Sequence, residues 1–139
     1  MSKIILTDAS LVVNSVDLSN HIDTIVINMT ADDIDLTSMG ATSHQHAPGL
    51  RDDSMDVTFF QDYAAASVDS TLSPLLGNSV GVVIVAKPTS AAVSSTNPTY
   101  TFTGILLDYT PINGQVGQAS KNPVKFMCAQ NSSLVRATS

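Results

Sequence analysis

Glutamate is missing from this chain. All 12 acidic side chains are aspartates. Glu is a good helix former, whereas Asp prefers caps and turns, so the imbalance argues against a helix-rich fold. Tryptophan is missing too, and aromatics reach only 5%. That leaves few flat apolar platforms for stacking on sugars. Cys128 is the only cysteine. An intrachain disulfide and a cysteine pair with metal-ligand spacing are therefore excluded. Cys128 sits in the apolar run Val124 to Ala129 and reads as a small buried hydrophobe. No stretch approaches the roughly 18 consecutive apolar residues of a membrane-spanning helix. The opening Met1-Ser2-Lys3-Ile4-Ile5-Leu6 is closed by Asp8. It is too short for a signal-peptide core and lacks a small-residue cleavage site, so folding in a cytoplasm is expected. Cations are scarce. The net charge is −6 and the pI about 4.5, a balance that repels phosphate backbones and argues against nucleic-acid binding.

What remains is a chain of 139 residues, the size of one ordinary domain. Residues 1–139 read as that single domain. Hydrophobic residues make up 43%, enough for a core without staples. Thr, Val and Ile favour strands. Ser10 to Leu18 reads as a strand followed by a turn at Asn14-Ser15. Ile22 to Met29 alternates, with Ile25, Ile27 and Met29 on one face. Asp33-Ile34-Asp35-Leu36-Thr37 alternates again, as a hairpin or a long bent strand. Residues 37–49 have no periodicity and predict an extended loop, longer than the usual connection of about 4–6 residues. Ser54 to Asp62 is the clearest strand, with Met55, Val57 and Phe59 on one face and Ser54, Asp56, Thr58 and Asp62 on the other.

Val68, Leu72, Leu75 and Leu76 predict one short helix, with a cap at Ser67 or Asp69, a break at Ser73 before Pro74, and an end at Gly77. Val80 to Ala86 is an unbroken apolar run, the pattern of a strand covered on both faces. In Thr99 to Tyr109 the apolar face is expected to switch at Gly104, through a bulge or bend. Pro111 to Asn122 reads as turns, Val124 to Ala129 as the last strand, and 131–139 as a flexible tail. About seven strands and one short flanking α-helix imply a mainly β protein, an antiparallel β-sandwich or barrel with a long extended loop.

Motifs for chemistry are poor. His44 and His46 alternate in the long loop, but no Cys or Glu accompanies them. Asp32, Asp33 and Asp35, and likewise Asp52-Asp53-Ser54, lack the glycine and distal bidentate Glu of a calcium loop. Both clusters read as solvated turn residues. There is no G-x-S-x-G elbow, P-loop or G-x-G-x-x-G. Asn28-Met29-Thr30 and Asn131-Ser132-Ser133 match the glycosylation sequon and mean little without a secretion signal. No catalytic, cofactor-binding or metal-ligating residue is expected, and no cofactor. A strand apolar on both faces and a long unexplained loop suit a subunit that completes its burial against copies of itself.

Val16-Asp17-Leu18-Ser19-Asn20-His21-Ile22 resembles the opening of major tail tube proteins from long, non-contractile (siphophage) tails. Three more blocks resemble that family in order: Ile34 to Gly40; Pro48 to Asp52 leading into Val57 to Tyr63; and Lys87 to Ser90 with Ser95 to Tyr100. The likeness runs from about Val16 to Phe126. It implies a β-sandwich with a flanking helix, hexameric rings stacked into a tube, and a lumen through which DNA passes without specific binding. It also implies no membrane contact, a place in the virion tail after synthesis in the bacterial host, and tape-measure, tail terminator and tail-tip proteins as partners. A long loop locks one ring to the next. Residues 37–49 are the candidate, with Met39, Thr42, His44, His46 and Pro48 as contact residues. Asp33 and Asp35 are the candidate lumen-facing acids. Two alternatives stand beside this reading. One is a related ring protein such as a tail terminator. The other is a monomeric β-sandwich module binding carbohydrate or protein.

Overall fold

The computed structural model describes residues 3–130 and 132–139. Met1, Ser2 and Asn131, where the second sequon and the expected flexible tail begin, lie outside the described residues. Ten strands and one α-helix are found among the described residues.

The first hairpin follows its sequence. β1 (Ser10–Val13) and β2 (Val16–Asp17) pair Val13 with Val16. Asn14 and Ser15 both have positive φ, 49° and 66°, the left-handed pair that a two-residue hairpin turn requires. β3 (Ile22–Asn28) then pairs with β6 (Ser54–Phe60). Between them the chain makes a second hairpin, β4 (Ala31–Asp35) with β5 (His46–Arg51). This corrects the expected loop over 37–49. Its last part, from His46, is a strand, in register Asp35 to His46 and Asp33 to Pro48. Pro48 hid it from sequence reading. The strand tolerates proline because, among the described residues, β5 pairs with β4 alone, which leaves its other edge without ladder partners.

The helix α1 (Val68–Leu72) starts at Ser67, whose side chain and that of Ser70 form a reciprocal capping box. A 3-10 turn over Ser73–Leu75 absorbs Pro74 at its start, so the helix stops at the predicted break. Val68, Leu72 and Leu75 are buried, but Leu76 is not. β7 (Val82–Lys87) turns Ile84 and Ala86 inward, with Val82 half-buried against the same core. Val83 is 54% exposed, so one face of this strand is left uncovered, contrary to expectation.

β8 (Thr99–Leu106) keeps one face inward throughout, with Phe102, Gly104 and Leu106 all buried. The expected switch at Gly104 does not occur. A Cβ there would lie 2.6 Å from Ile84 Cδ1 and 2.9 Å from the Phe102 ring. The glycine makes room for two core side chains and does not bend the strand. β9 (Lys121–Cys128) begins earlier than expected, despite Pro123. β8 pairs only with its end, from Phe126 to Cys128, so Pro123 faces an open edge. β10 (Val135–Ala137) pairs with Thr99 to Thr101 of β8. The tail expected to be flexible therefore carries a strand.

The strand order is β2-β1-β7-β8-β9-β6-β3, with β10 beside β8. All pairings among these strands are antiparallel. Leu11 and Val13 of β1, Ile84 of β7, Phe102 and Leu106 of β8, Phe126 of β9, and Met55, Val57 and Phe59 of β6 meet in one core with α1. A sheet whose distant strands share one core must curl on itself. The architecture is the expected antiparallel sandwich or barrel with a flanking helix.

Candidate assembly surfaces

The β4–β5 hairpin is an arm. Every residue from Met29 to His46 is exposed, and β4 and β5 pack chiefly on each other. A two-stranded hairpin alone in water is marginal, so its own contacts matter. Its two faces differ. Asp33, Asp35, His46 and Pro48 share one face by register, and His44 joins them. His46 Nδ1 lies 2.7 Å from Asp33 Oδ1. His44 Nδ1 lies 3.8 Å from Asp35 Oδ2. Thr37 donates its hydroxyl and its backbone N–H to Asp35 Oδ1, and these bonds hold the carboxyl below the usual carboxylate range. Gln45 N–H in turn donates to the Thr37 hydroxyl at 2.9 Å.

The other face carries Ile34, Leu36, Ala47 and Gly49. Leu36 N–H donates to Gln45 O across the arm. Gly49 has a specific reason to be glycine: its Cβ would meet Ile34 Cδ1 at 2.8 Å. Without a side chain there, Ile34 lies flat across the ribbon. The expected contact residues therefore divide. His44, His46 and Pro48 sit on the charged face, while Met39 and Thr42 belong to the tip between the strands and are exposed.

The arm's root is fastened to the body by a residue that sequence reading misjudged. Asp53, read as a solvated turn residue, is 2% exposed. Its Oδ2 accepts from Arg51 Nη2 at 2.7 Å and from the buried Leu134 N–H at 2.9 Å. Above it, Thr30 and Asp52 exchange hydrogen bonds, Asp52 N–H to Thr30 O at 2.9 Å and Thr30 Oγ1 to Asp52 O at 2.6 Å. No local signal could have found Asp53, because Leu134 lies 81 residues away.

The opposite pole is built from the residues beyond Phe60. β6 runs from the arm's root at Ser54 to Phe60, a rise of about 20 Å at ~3.3 Å per residue, and Phe60 pairs with Lys121 at the end of the 107–120 loop. Lys121 Nζ stands 5.4 Å from the Phe60 ring centroid. Gln61 donates to Pro111 O at 2.6 Å and to Tyr109 OH at 3.1 Å. The Tyr109 hydroxyl donates to Asp69 Oδ1 at 2.7 Å, and burial pushes its pKa up to about 12. Within this loop Ile112 and Val116 are fully open to solvent.

At this pole His21, Asp62 and Ser67 come together. His21 Nε2 lies 2.9 Å from Asp62 Oδ2 and 3.3 Å from Ser67 Oγ. A nucleophilic relay needs the acid on one ring nitrogen and the hydroxyl on the other. Here both contact Nε2, and the buried Nδ1 has no partner. Asp62 also accepts the Ala64 N–H, the largest of the causes that lower its pKa, ahead of Ser67 and His21. The cluster ties the helix cap to the end of β6. Ser67 is not activated. Among the described residues no group of three or more His, Cys, Asp or Glu is placed to hold a metal ion. No helix among them is long and apolar enough to cross a membrane. Cys128 is half-buried against the core, and burial raises its pKa.

No family model matches the chain, and no curated protein matches it. Solved structures do. A chain from the sheath/tube terminator assembly of an extracellular contractile injection system (PVC) superposes with a TM-score of 0.73 at 10% identity, covering 98% of this chain and 97% of that one. A chain of the native gene transfer agent virion gives a TM-score of 0.68 at 12% identity, covering 92% and 95%. A chain from the tail of an empty gene transfer agent particle, resolved with C6 symmetry, gives 0.61 at 12% identity, covering 83% and 82%. At such identities the likeness is one of fold. A fold shared with a contractile system does not single out a non-contractile tail. The chain has the fold of tail tube and tube-terminator proteins of phage-like particles.

Proposed function

We propose that this chain is a structural subunit of a non-contractile phage tail tube. Six copies form a ring, rings stack into a tube in the virion tail, and DNA leaves through the lumen. The observation that carries the reading is the β4–β5 arm, an exposed amphipathic ribbon on a body with the tail-tube fold. Alone it gains almost no burial. Against another copy its apolar face is covered and its ordering, about 1–2 kcal/mol per backbone residue, is offset. The arm and the 107–120 loop stand at opposite poles of β6, the geometry a head-to-tail stack uses.

In this arrangement residues 37–49 form the tip and second strand of the arm that locks ring to ring. Asp33 and Asp35 face the lumen on the arm's charged side, where negative charge repels DNA and lets it slide. Tape-measure, terminator and tail-tip proteins meet the tube at its interior and ends. The host cytoplasm is the site of synthesis.

Electron microscopy of the purified protein tests the proposal. Rings about six subunits round, and tubes at high concentration, are the expected result. Isolated particles at every concentration refute it. Deleting Thr42 to Ala47 should leave the circular dichroism spectrum of the body unchanged and stop elongation. Tubes of normal length from that variant would remove the arm from the mechanism.

A further inference from the structure

Two surfaces on this chain are apolar and unpaired, and they lie on different elements. One is the outward face of β1, β7, β8 and β10. The register aligns Val12, Val85, Thr101 and Val135 in one row across four strands. Val83 stands in the next row, opposite Thr103. These residues alternate with the core set Leu11, Ile84 and Phe102, so they point away from the core. No charge interrupts the row, which ends at Asp17 on the β2 edge. A shallow trough of about 350 Å³ runs between Val83, Thr101, Thr103, Ser132 and Val135. Lys87, two residues beyond Val85, shares this outward face and borders it with positive charge.

The second surface is the Ile34–Leu36 face of the arm. Asp32 lies beside Ile34 on this face, its Cβ 3.1 Å from where a Cβ at Gly49 would stand, while Asp33 and Asp35 turn to the opposite face. One surface is therefore apolar with Lys87 at its border, and the other is apolar with Asp32 beside Ile34.

We propose that the Ile34–Leu36 face of one copy lies on the Val83–Val85 face of a copy in the adjoining ring. This rests on the tube-subunit reading and names where its arm docks. β7 is a strand apolar on both sides with only one side covered by its own core, and a second copy supplies the missing cover. Apolar meets apolar at the centre, and Asp32 approaches Lys87 at the rim, the arrangement of a specific interface. The two patches are different surfaces, so the contact is heterologous and propagates from copy to copy.

Disulfide mapping tests it. Leu36→Cys and Val83→Cys are made separately, each with Cys128→Ser, then mixed, assembled and oxidised. A covalent dimer joined between positions 36 and 83 should form in the mixture, and neither variant alone should give it. Val83→Asp should abolish tubes while its melting temperature stays within a few degrees of the parent. Tubes in the mixture without the 36–83 linkage overturn the docking site and leave the tube reading intact. So do Val83→Asp tubes as abundant as the parent's. If the parent itself forms neither rings nor tubes, the tube reading fails and the docking site with it.

Discussion

Asp53 offers the most direct test of how the arm is anchored. Its carboxylate is buried and joins Arg51 to the Leu134 N–H. In Asp53→Ala the buried Leu134 donor loses its only charged partner, at a cost of about 1.5–3 kcal/mol. The Arg51 pair adds less. Arg51 is 40% exposed, and pairs open to solvent are worth about 0–1 kcal/mol. Against this, the variant no longer buries a carboxylate whose Oδ1 has no partner. The balance is a loss of about 2 kcal/mol. For a domain of this size that lowers the melting temperature by about 5–10 °C. Asp53→Asn separates the contributions. Its amide oxygen still accepts from Leu134 while the charge is gone, so about half the loss should return. Thermal unfolding measures both variants, and hydrogen exchange reads the Leu134 amide and β10 directly. If Asp53→Ala melts within about 1 °C of the parent and Leu134 stays protected, the anchoring argument is wrong.

Two other perturbations test the body. Gly104→Ala should destabilise by about 1–3 kcal/mol, the usual cost of overpacking, and Ile84→Val should recover much of it by removing the clashing Cδ1. Additive losses in a double-mutant cycle would refute the crowding argument. Asp17 is held below the ordinary carboxylate range, first by the Ser19 hydroxyl and then by the Ser19 N–H. A carboxyl whose folded pKa is depressed contributes stability above its unfolded pKa and loses it as pH falls through the folded value. Asp17→Asn should therefore lower stability at neutral pH and flatten its fall below about pH 4. An unchanged acid limb in denaturant titrations would count against it.

Much of the body was readable from one sequence, because period-2 and helical patterns are local. Met55, Val57 and Phe59 gave β6 its inner face, and Asn14-Ser15 gave the first turn. Pro74 marked the end of α1. The misreadings share a cause, which is that the deciding partner lies far along the chain. Gly104 reads as a bend in sequence because Ile84, which needs its space, sits 20 residues earlier on another strand. β5 was missed because His46 and Pro48 carry no alternation of their own and are strand only opposite Asp35 and Asp33. β10 gained its strand from Thr99 to Thr101, and the Asp53–Leu134 bond fastens the residue that precedes it.

The sequence alone determined that this is a strand-rich, acidic chain with one short helix and one long excursion after Leu36, since composition and side-chain period act residue by residue. Only the tertiary structure decided that the excursion is a two-faced ribbon, that Asp53 is buried, and that Val83 of β7 faces outward uncovered. Those are properties of register and burial, set when strands distant in the chain come together, and no local pattern encodes them.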